Sequence, residues 1–437
     1  MPDPHPKRTS PPAIEDENRR LRRAVEELST LNDLARAIGG LTNSQEVMET
    51  IIHRSVHAIH AEQGVITMVD RDSGDAMKTL VRSMGDKGAQ QPYHFNLTFL
   101  GWMQLNKMPL MLNMPGEDAR FRGMEWNASV RSLLCVPLMI KGEVRGVLTV
   151  YNKKTEGGFT EDDQRLLAII AAQSAQVIEN ARLHESEQAL LRVREEMRLA
   201  GQIQADLLPK VFPDLPGYDI AGRTLPAQEV GGDYFDFIRM DDQRICICLG
   251  DVSGKGLPAS LLMANVQAML RSQSILHAPP QLCMQRANTL LLQSTSPEKF
   301  VTLFYGVLDL AHHTLTYVNA GHELPYLFTA ASEPIRLAAG GPPLGVIDRT
   351  PYDEQSVPMQ PGDLLVVYSD GVTEAMNAGQ VQFGGSRLDA LLPGWRNAPA
   401  SAIIERIIDA VRQHAAGTPQ HDDITLVVVK RSALPVD

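Results

Sequence analysis

Only four cysteines occur in 437 residues, at positions 135, 246, 248 and 283, and none forms a CxxC pair. That scarcity argues against a disulfide framework, and the four read as reduced core thiols of a cytosolic protein. No apolar stretch approaches the roughly 18 residues of a membrane helix. The N-terminal MPDPHPKRTSPPAIEDENRR lacks the apolar segment of a signal peptide. Positive charge is in deficit: 41 Lys and Arg against 52 Asp and Glu leave a net charge of −11. This balance argues against a general nucleic-acid or membrane-surface binder. A Walker-type glycine loop ending in Lys-Ser/Thr is missing, and so is HExxH. What remains is a chain long enough for two or three domains, with 43% apolar residues to fill their cores.

The most informative stretch is 244–256, RICICLGDVSGKG. Its apolar run 245–249 predicts a buried strand closed by Gly250-Asp251, and residues 257–272 predict a helix after the glycine-spaced turn. Taken alone, Asp251 is better explained as a turn cap. The pattern recurs, however. Asp370 ends the run 364–369, Asp422 and Asp423 open 424–429, and Asp233 opens the run in EVGGDYFDF. Carboxylates at the ends of several buried strands can converge at one end of a sheet. Such oxygen donors suit Mg2+ or Mn2+, and two such ions polarise a phosphoryl group and supply a hydroxide.

Along the chain, residues 1–20 read as a disordered tail. Leu21, Val25, Leu28, Asn32 and Ala35 fall at a/d spacing. They make either a short parallel coiled coil, with Asn32 suiting a dimer, or an amphipathic first helix packed on its own domain. A mixed α/β unit follows, with Ser44 capping a predicted helix 45–61, a strand 64–70, and a hairpin 132–140 and 144–151 joined at Lys141-Gly142. A long helix is predicted from Glu161 through Leu207. In it Leu183, Leu190 and Met197 recur at seven, with Ser186, Val193, Ala200 and Leu207 between them. This is a weak heptad seam, as a switchable linker needs, or the narrow stripe of a surface helix. Gly201 reads as a hinge. Beyond Leu208-Pro209 come a strand 218–223, a helix 280–294, a strand meander, helices within 386–414 and the strand 424–429. Many strands with two early helices predict a layered, β-rich α+β domain.

Two resemblances rest on these residues. The early LNDLARAIGGLTNSQEVMETIIHRSVHAI, the hairpin SVRSLLCVPLMIKGEVRGVLTVYNKK and FTEDDQRLLAIIAAQSAQVIENARL resemble a GAF domain, over about residues 25–185. This implies an antiparallel sheet with helices. Asn152, Lys153 and Phe159 are similar to part of the signature of cyclic-nucleotide-binding members, but Asp163 is followed by Gln164 where the distal Asp-Glu is expected. The ligand is therefore unknown, and a ligand-free dimerisation module is the plainer reading. EVGGDYFDF, LGDVSGKGLPASLLMA, FVTLFYGVLDL, LTYVNAGHELPYL, GGPPLGV, PGDLLVVYSDGVTEAMN and HDDITLVVV stand in the order found in the bacterial sporulation- and stress-response type of metal-dependent (PPM) serine/threonine phosphatases.

The fold implied is α/β and α+β multidomain: a GAF-like unit over 21–185, a helical linker over 161–207, then a PPM-type β-sandwich flanked by helices over 208–432. By resemblance, Asp233 and Asp251 are catalytic carboxylates of a two-metal core, Asp251 lying between two Mn2+ or Mg2+ ions. The Val252 carbonyl, Asp370 and Asp422 complete the metal set. Four further roles stay open. Asp423 assists or caps its strand. His322, in NAGH, is the nearest general acid or a solvated turn residue, since Ser253 stands where eukaryotic-type enzymes have a histidine. Lys255 steers phosphate or caps its turn. Asp236 belongs to the motif or merely faces solvent.

The implied substrate is a phosphoserine or phosphothreonine protein, an anti-sigma-factor antagonist, with regulation running from the sensory domain through the linker. A homodimer is expected, with no nucleic-acid or membrane partner. One competing reading is a non-catalytic phosphoprotein-binding scaffold, which the full acid set disfavours. The other is a histidine kinase; His184 is available, but no asparagine- and glycine-rich ATP boxes follow.

Overall fold

The computed structural model describes residues 43–69, 78–83 and 97–432, apart from 123, 125, 297 and 330–332, together with scattered helical positions between 17 and 36. Of the first heptad set, Leu21, Val25 and Asn32 are helical and exposed; Leu28, Ala35 and the tail 1–16 lie outside the described residues. The chain divides into two compact units at Arg192/Val193. That boundary falls inside the 47-residue helix Glu161–Leu207.

In the first unit the helix Ser44–Ile59 buries Val47, Ile51, Ile52, Val56 and Ile59 along one face. Its cap is Asn43, not Ser44: the Asn43 side-chain oxygen accepts from the amides of Gln45 and Glu46, at 2.9 and 3.1 Å. Ser44 instead gives its amide and hydroxyl to Glu185, both at 2.7 Å. The helix also stops two residues before the expected Ala61. His60 turns left-handed at φ 56°, and Ala61 already belongs to the strand Ala61–Met68.

Five antiparallel strands form this unit's sheet, in the order Lys78–Ser83, Ala61–Met68, Glu143–Lys153, Leu133–Ile140, Leu110–Leu112. Alternation sends Ile66, Leu134, Val136, Leu148 and Val150 to the core shared with Ser44–Ile59 and the start of Glu161–Leu207. Val65, Leu133, Cys135, Val147 and Tyr151 face the helix Leu97–Asn106.

The residues that resemble a nucleotide signature are occupied by internal ties. Asn152 accepts from the Arg131 amide at 2.8 Å and donates to Glu62 at 2.8 Å. Lys153 pairs with Asp163 and the Ile59 carbonyl, each at 2.7 Å. Phe159 is buried in the core.

The second unit is built on two antiparallel-dominated sheets. The first runs Tyr234–Arg239, Arg244–Val252, Val301–Asp309, Thr314–Ala320, Gly340–Gly341, with Gln355–Pro358 also paired to Thr314–Ala320. The second runs Tyr218–Leu225, Ile424–Arg431, Leu364–Tyr368, Tyr326–Phe328, Ile335–Arg336.

Period-two alternation sets the layers. Ile245, Ile247, Leu249, Phe235 and Phe237 meet Leu365, Val367, Val427 and Val429 between the sheets. Cys246 and Cys248 point the other way, as their spacing predicts, onto the helices Leu257–Ile275 and Pro280–Ser294. Val366, Tyr368, Leu426 and Val428 face the helices Gly385–Trp395 and Ala400–Ala415. Each fully buried Val or Leu is worth about 1.5–3 kcal/mol, so a one-residue slip of the 424–431 strand would exchange inner for outer faces at high cost. The register, and with it the parity of the residues at the strand ends, is therefore firmly set.

Candidate metal centre

Parity carries the acids to one place. Asp251 shares the inward face of Ile247 and Leu249, and Asp233 that of Phe235 and Phe237. Asp423 shares that of Val427 and Val429, all at one open end of the sandwich. The strand 244–252 extends past the expected stop at residue 250, so Asp251 lies on the ladder itself, paired with Thr302 of the neighbouring strand. Asp370 starts the short helical turn Asp370–Thr373 beyond strand 364–368.

Their electrostatics show mutual proximity. Burial, then the charges of Asp370, Asp422 and Asp423, push Asp251 up from 3.8 to about 7, with Asp233 hydrogen bonding offsetting part of the rise. Burial, followed by Asp422, Glu374 and Glu323, pushes Asp370 up to about 6. Asp233 is raised well above the carboxylate range, first by burial and then by Asp251 and Asp423. Its Oδ2 is buried with no hydrogen-bond partner. A buried carboxylate oxygen without a donor is costly unless something else neutralises it.

Among the described residues no three His, Cys, Asp or Glu side chains already stand in ligating geometry. Carboxylates facing one another at this range repel, and the donor set is oxygen throughout. That set suits a hard divalent cation better than zinc or copper, which favour imidazole and thiolate. A Cβ on Gly232 would stand 2.9 Å from the Val252 carbonyl oxygen and 3.3 Å from Asp251 Oδ1. Glycine therefore leaves both atoms open. Beside them, Ala227, Gln228, Gly231, Gly232, Gly254, Lys255, Gly256, Asp422 and Asp423 line a small open depression. The residues present fit the divalent cations that the sequence implies.

Asp423 has the clearest structural work. It accepts from the amides of Ala227 and Gly232, both at 2.7 Å, and from that of Asp233 at 3.4 Å, so it braces the 227–233 loop that presents Asp233. Lys255 neither hangs free nor caps its own turn. Its ammonium lies 2.9 Å from Asp422 Oδ2 and donates to the His421 carbonyl. Asp422 holds the Lys255 ammonium charged, raising its pKa.

Two expectations need correction. Asp236 does not face solvent: it is completely buried. It accepts from Tyr234 Oη at 2.7 Å and Arg271 Nε at 2.8 Å, because strand parity turns it onto the helix 257–275, away from the acids. His322 is not a solvated turn residue either; it is 6% exposed. Its Nδ1 pairs with Thr302 Oγ1 at 2.9 Å, one side chain away from Asp251.

Burial drives His322 down to about 4, the nearby Tyr368 carbonyl offsetting little of this, and Nε2 finds no hydrogen bond. A neutral imidazole at pH 7 is poorly suited to donating a proton. His322→Asn is therefore expected to lower kcat less than about tenfold, well short of the 10²–10⁴ typical of a general acid. A loss of several hundred-fold would return proton transfer to His322.

Sequence reasoning missed Arg271 and Gln204. Arg271 is a lone cation in the otherwise apolar and neutral run LPASLLMANVQAMLRS, which was a usable signal. Gln204 gave none.

Two helix-flanked sheets whose shared open end gathers carboxylates define a layered α/β/β/α domain. Comparison with known proteins specifies it. Residues 241–432 match the family described as Stage II sporulation protein E (SpoIIE), and residues 42–179 match the GAF domain. The GAF match falls in the first compact unit and the SpoIIE match in the second.

Protein IcfG of Synechocystis sp. is 31% identical over 270 residues, 55% of this chain and 42% of that protein. Phosphoserine phosphatase RsbU of Bacillus subtilis is 28% identical over 240 residues, 55% of this chain and 71% of that protein. The chain thus spans less than half of the first and about seven-tenths of the second. The SiaA-PP2C domain of Pseudomonas aeruginosa superposes with a TM-score of 0.49 at 20% identity, covering 56% of this chain and 98% of that one.

Proposed function

We propose that the chain is a metal-dependent protein serine/threonine phosphatase regulated by its GAF domain, acting on a phosphoprotein such as an anti-sigma-factor antagonist in the bacterial cytoplasm. The observation that carries this reading is the unpartnered, buried Asp233 Oδ2 among carboxylates pushed upward by burial and by one another. RsbU, one relative, is a phosphoserine phosphatase by name. Asp233, Asp251, Asp370, Asp422 and the Val252 carbonyl would hold the ions, Mn2+ or Mg2+. Bound there, divalent cations supply an acidified water and neutralise phosphoryl oxygens.

The protein's own groups do the positioning. Asp423 holds the 227–233 loop. Gly232 keeps the donor atoms open. The Lys255 ammonium stands at the depression where a phosphoryl group enters, beside Asp422. His322 stays neutral behind Thr302. Residues 21–185 serve as the sensory unit, 161–207 as linker and 208–432 as catalyst in this reading. Leu183, Leu190 and Val193 are more than half exposed along the linker, which supports pairing with a second copy. Among the described residues no helix is long and apolar enough to cross a membrane.

The test is hydrolysis of a phosphoserine peptide and of para-nitrophenyl phosphate by the full chain in Mn2+, Mg2+ or EDTA. Turnover in either metal and none in EDTA is expected. A chain that binds Mn2+ yet hydrolyses no phosphopeptide sinks the enzyme reading and leaves the phosphoprotein-binding scaffold.

A further inference from the structure

The end of the helix 161–207 docks on the loop that carries Asp233. Three features make the contact. Gln204 brackets one residue of the loop: its Nε2 donates to the Gly231 carbonyl at 2.7 Å, and its Oε1 accepts from the Gly231 amide at 3.0 Å. Three residues earlier, Gly201 lies inside the helix rather than breaking it. A Cβ there would come within 2.1 Å of the Glu229 carbonyl oxygen, which is backbone and has little room to retreat. Finally, Gln267 Nε2 donates to the Leu207 carbonyl at 3.3 Å, tying the helix end to the helix 257–275. Gly201 is thus a seat for the loop and not the expected hinge.

The two sides of the loop are held by different parts of the unit. Asp423 takes the amides of Ala227 and Gly232 from the strand side. Gln204 takes both backbone groups of Gly231 from the helix side. Gly231 must be glycine, since a Cβ would stand 2.3 Å from Asp423 Oδ2. One residue, Gly232, separates Gly231 from Asp233, and its amide is itself held by Asp423, so the span between them is short and tethered. Gln204 offers one donor and one acceptor to the two polar groups of one peptide residue, an arrangement that tolerates no rotation of the loop.

We propose that Gln204 is a positioning residue of the metal centre: the end of the 161–207 helix sets the 227–233 loop, and through it Asp233, for cation binding. This rests on the metal reading of the acid set and names the contact by which the linker acts on it. Helix displacement of about 1 Å lengthens both Gln204 bonds beyond hydrogen-bond range and frees the loop on that side.

The experiment compares the full chain with Gln204→Ala and Gly201→Ala, using Mn2+ as the probe. Two readouts are needed that packing alone would not move. One is hydrogen exchange at the Gly231 and Gly232 amides in EDTA. The other is the Mn2+ concentration at half-maximal thermal stabilisation.

Gln204→Ala is expected to speed exchange at Gly231 about tenfold and to raise the Mn2+ midpoint about tenfold or more, the equivalent of one lost hydrogen bond to the loop. Gly201→Ala, which leaves Gln204 in place but lifts the helix from Glu229, is expected to do the same. KM for the phosphopeptide at saturating Mn2+ should not change. Variants that keep the wild-type Mn2+ midpoint, even if they melt lower in EDTA or exchange Gly231 faster, reduce Gln204 to a docking contact and overturn the proposal. A wild-type chain that binds no Mn2+ overturns the metal reading, and this inference with it.

Discussion

Asp251→Asn is expected to abolish turnover, by about 10³-fold, while making the metal-free protein more stable at pH 8. The two effects have one origin. In the absence of a cation, Asp251 is raised from 3.8 to about 7 by burial and by Asp370, Asp422 and Asp423. Its folded pKa is thus above its unfolded one. Between pH 4 and 7 the unfolded chain releases this proton before the folded one does, so metal-free stability falls as pH rises through that window and the full cost is present above it.

Asparagine keeps the shape and carries no charge. Allowing for solvent screening, removing the charge returns about 2 kcal/mol at pH 8. In a unit of this size that raises the melting temperature by about 4–8 °C. At pH 4 the variant and the wild type should melt together. In saturating Mn2+ the order at pH 8 reverses, because the cation stabilises the carboxylate and not the amide. Thermal melts at pH 4 and 8, with EDTA or Mn2+, check all four corners. A variant that is no more stable than wild type in EDTA at pH 8 contradicts the electrostatic account of the site.

Asp423→Ala should act oppositely and without regard to metal. Removing the carboxylate orphans the Ala227 and Gly232 amides, each bonded at 2.7 Å, and weakens the hold on Asp233. Hydrogen bonds to a charged acceptor are worth about 1.5–3 kcal/mol each, so a loss of about 3–5 kcal/mol is expected, near 10 °C in melting temperature. The decisive comparison is between EDTA and Mn2+. An equal loss in both identifies Asp423 as a brace. A loss seen only with Mn2+ makes it a ligand. Activity should fall by more than tenfold either way, since Asp233 follows the loop.

How legible the site was follows from what each residue depends on. That Asp233, Asp251, Asp370 and Asp422 gather at one end could be read, because an apolar run predicts a strand and a strand end predicts a place. The heptad-spaced helix 161–207 was equally visible, and it starts at Glu161 and ends at Leu207 as the sequence predicts. Asp423 was harder, since its bonds reach amides roughly 190 residues earlier in the chain. Asp236 was left open between motif and solvent because parity within YFDF is invisible until the sheet chooses a face. Arg271, 35 residues on, settles its charge. The same blindness applied to Gly201: an isolated glycine in a helical pattern reads as weakness, and only the approach of Glu229 explains it.

All four cysteines are buried. Burial pushes the thiols of Cys135 and Cys283 up to about 12 and that of Cys248 well above its usual value. Such sulfurs are poor nucleophiles and sit out of reach of alkylating reagents. The native protein is therefore already a silent background for thiol-directed spectroscopy. A single cysteine introduced at exposed Leu190, on the linker stripe, would take a spin label or fluorophore selectively, with no need to strip the natural thiols from two tightly packed cores.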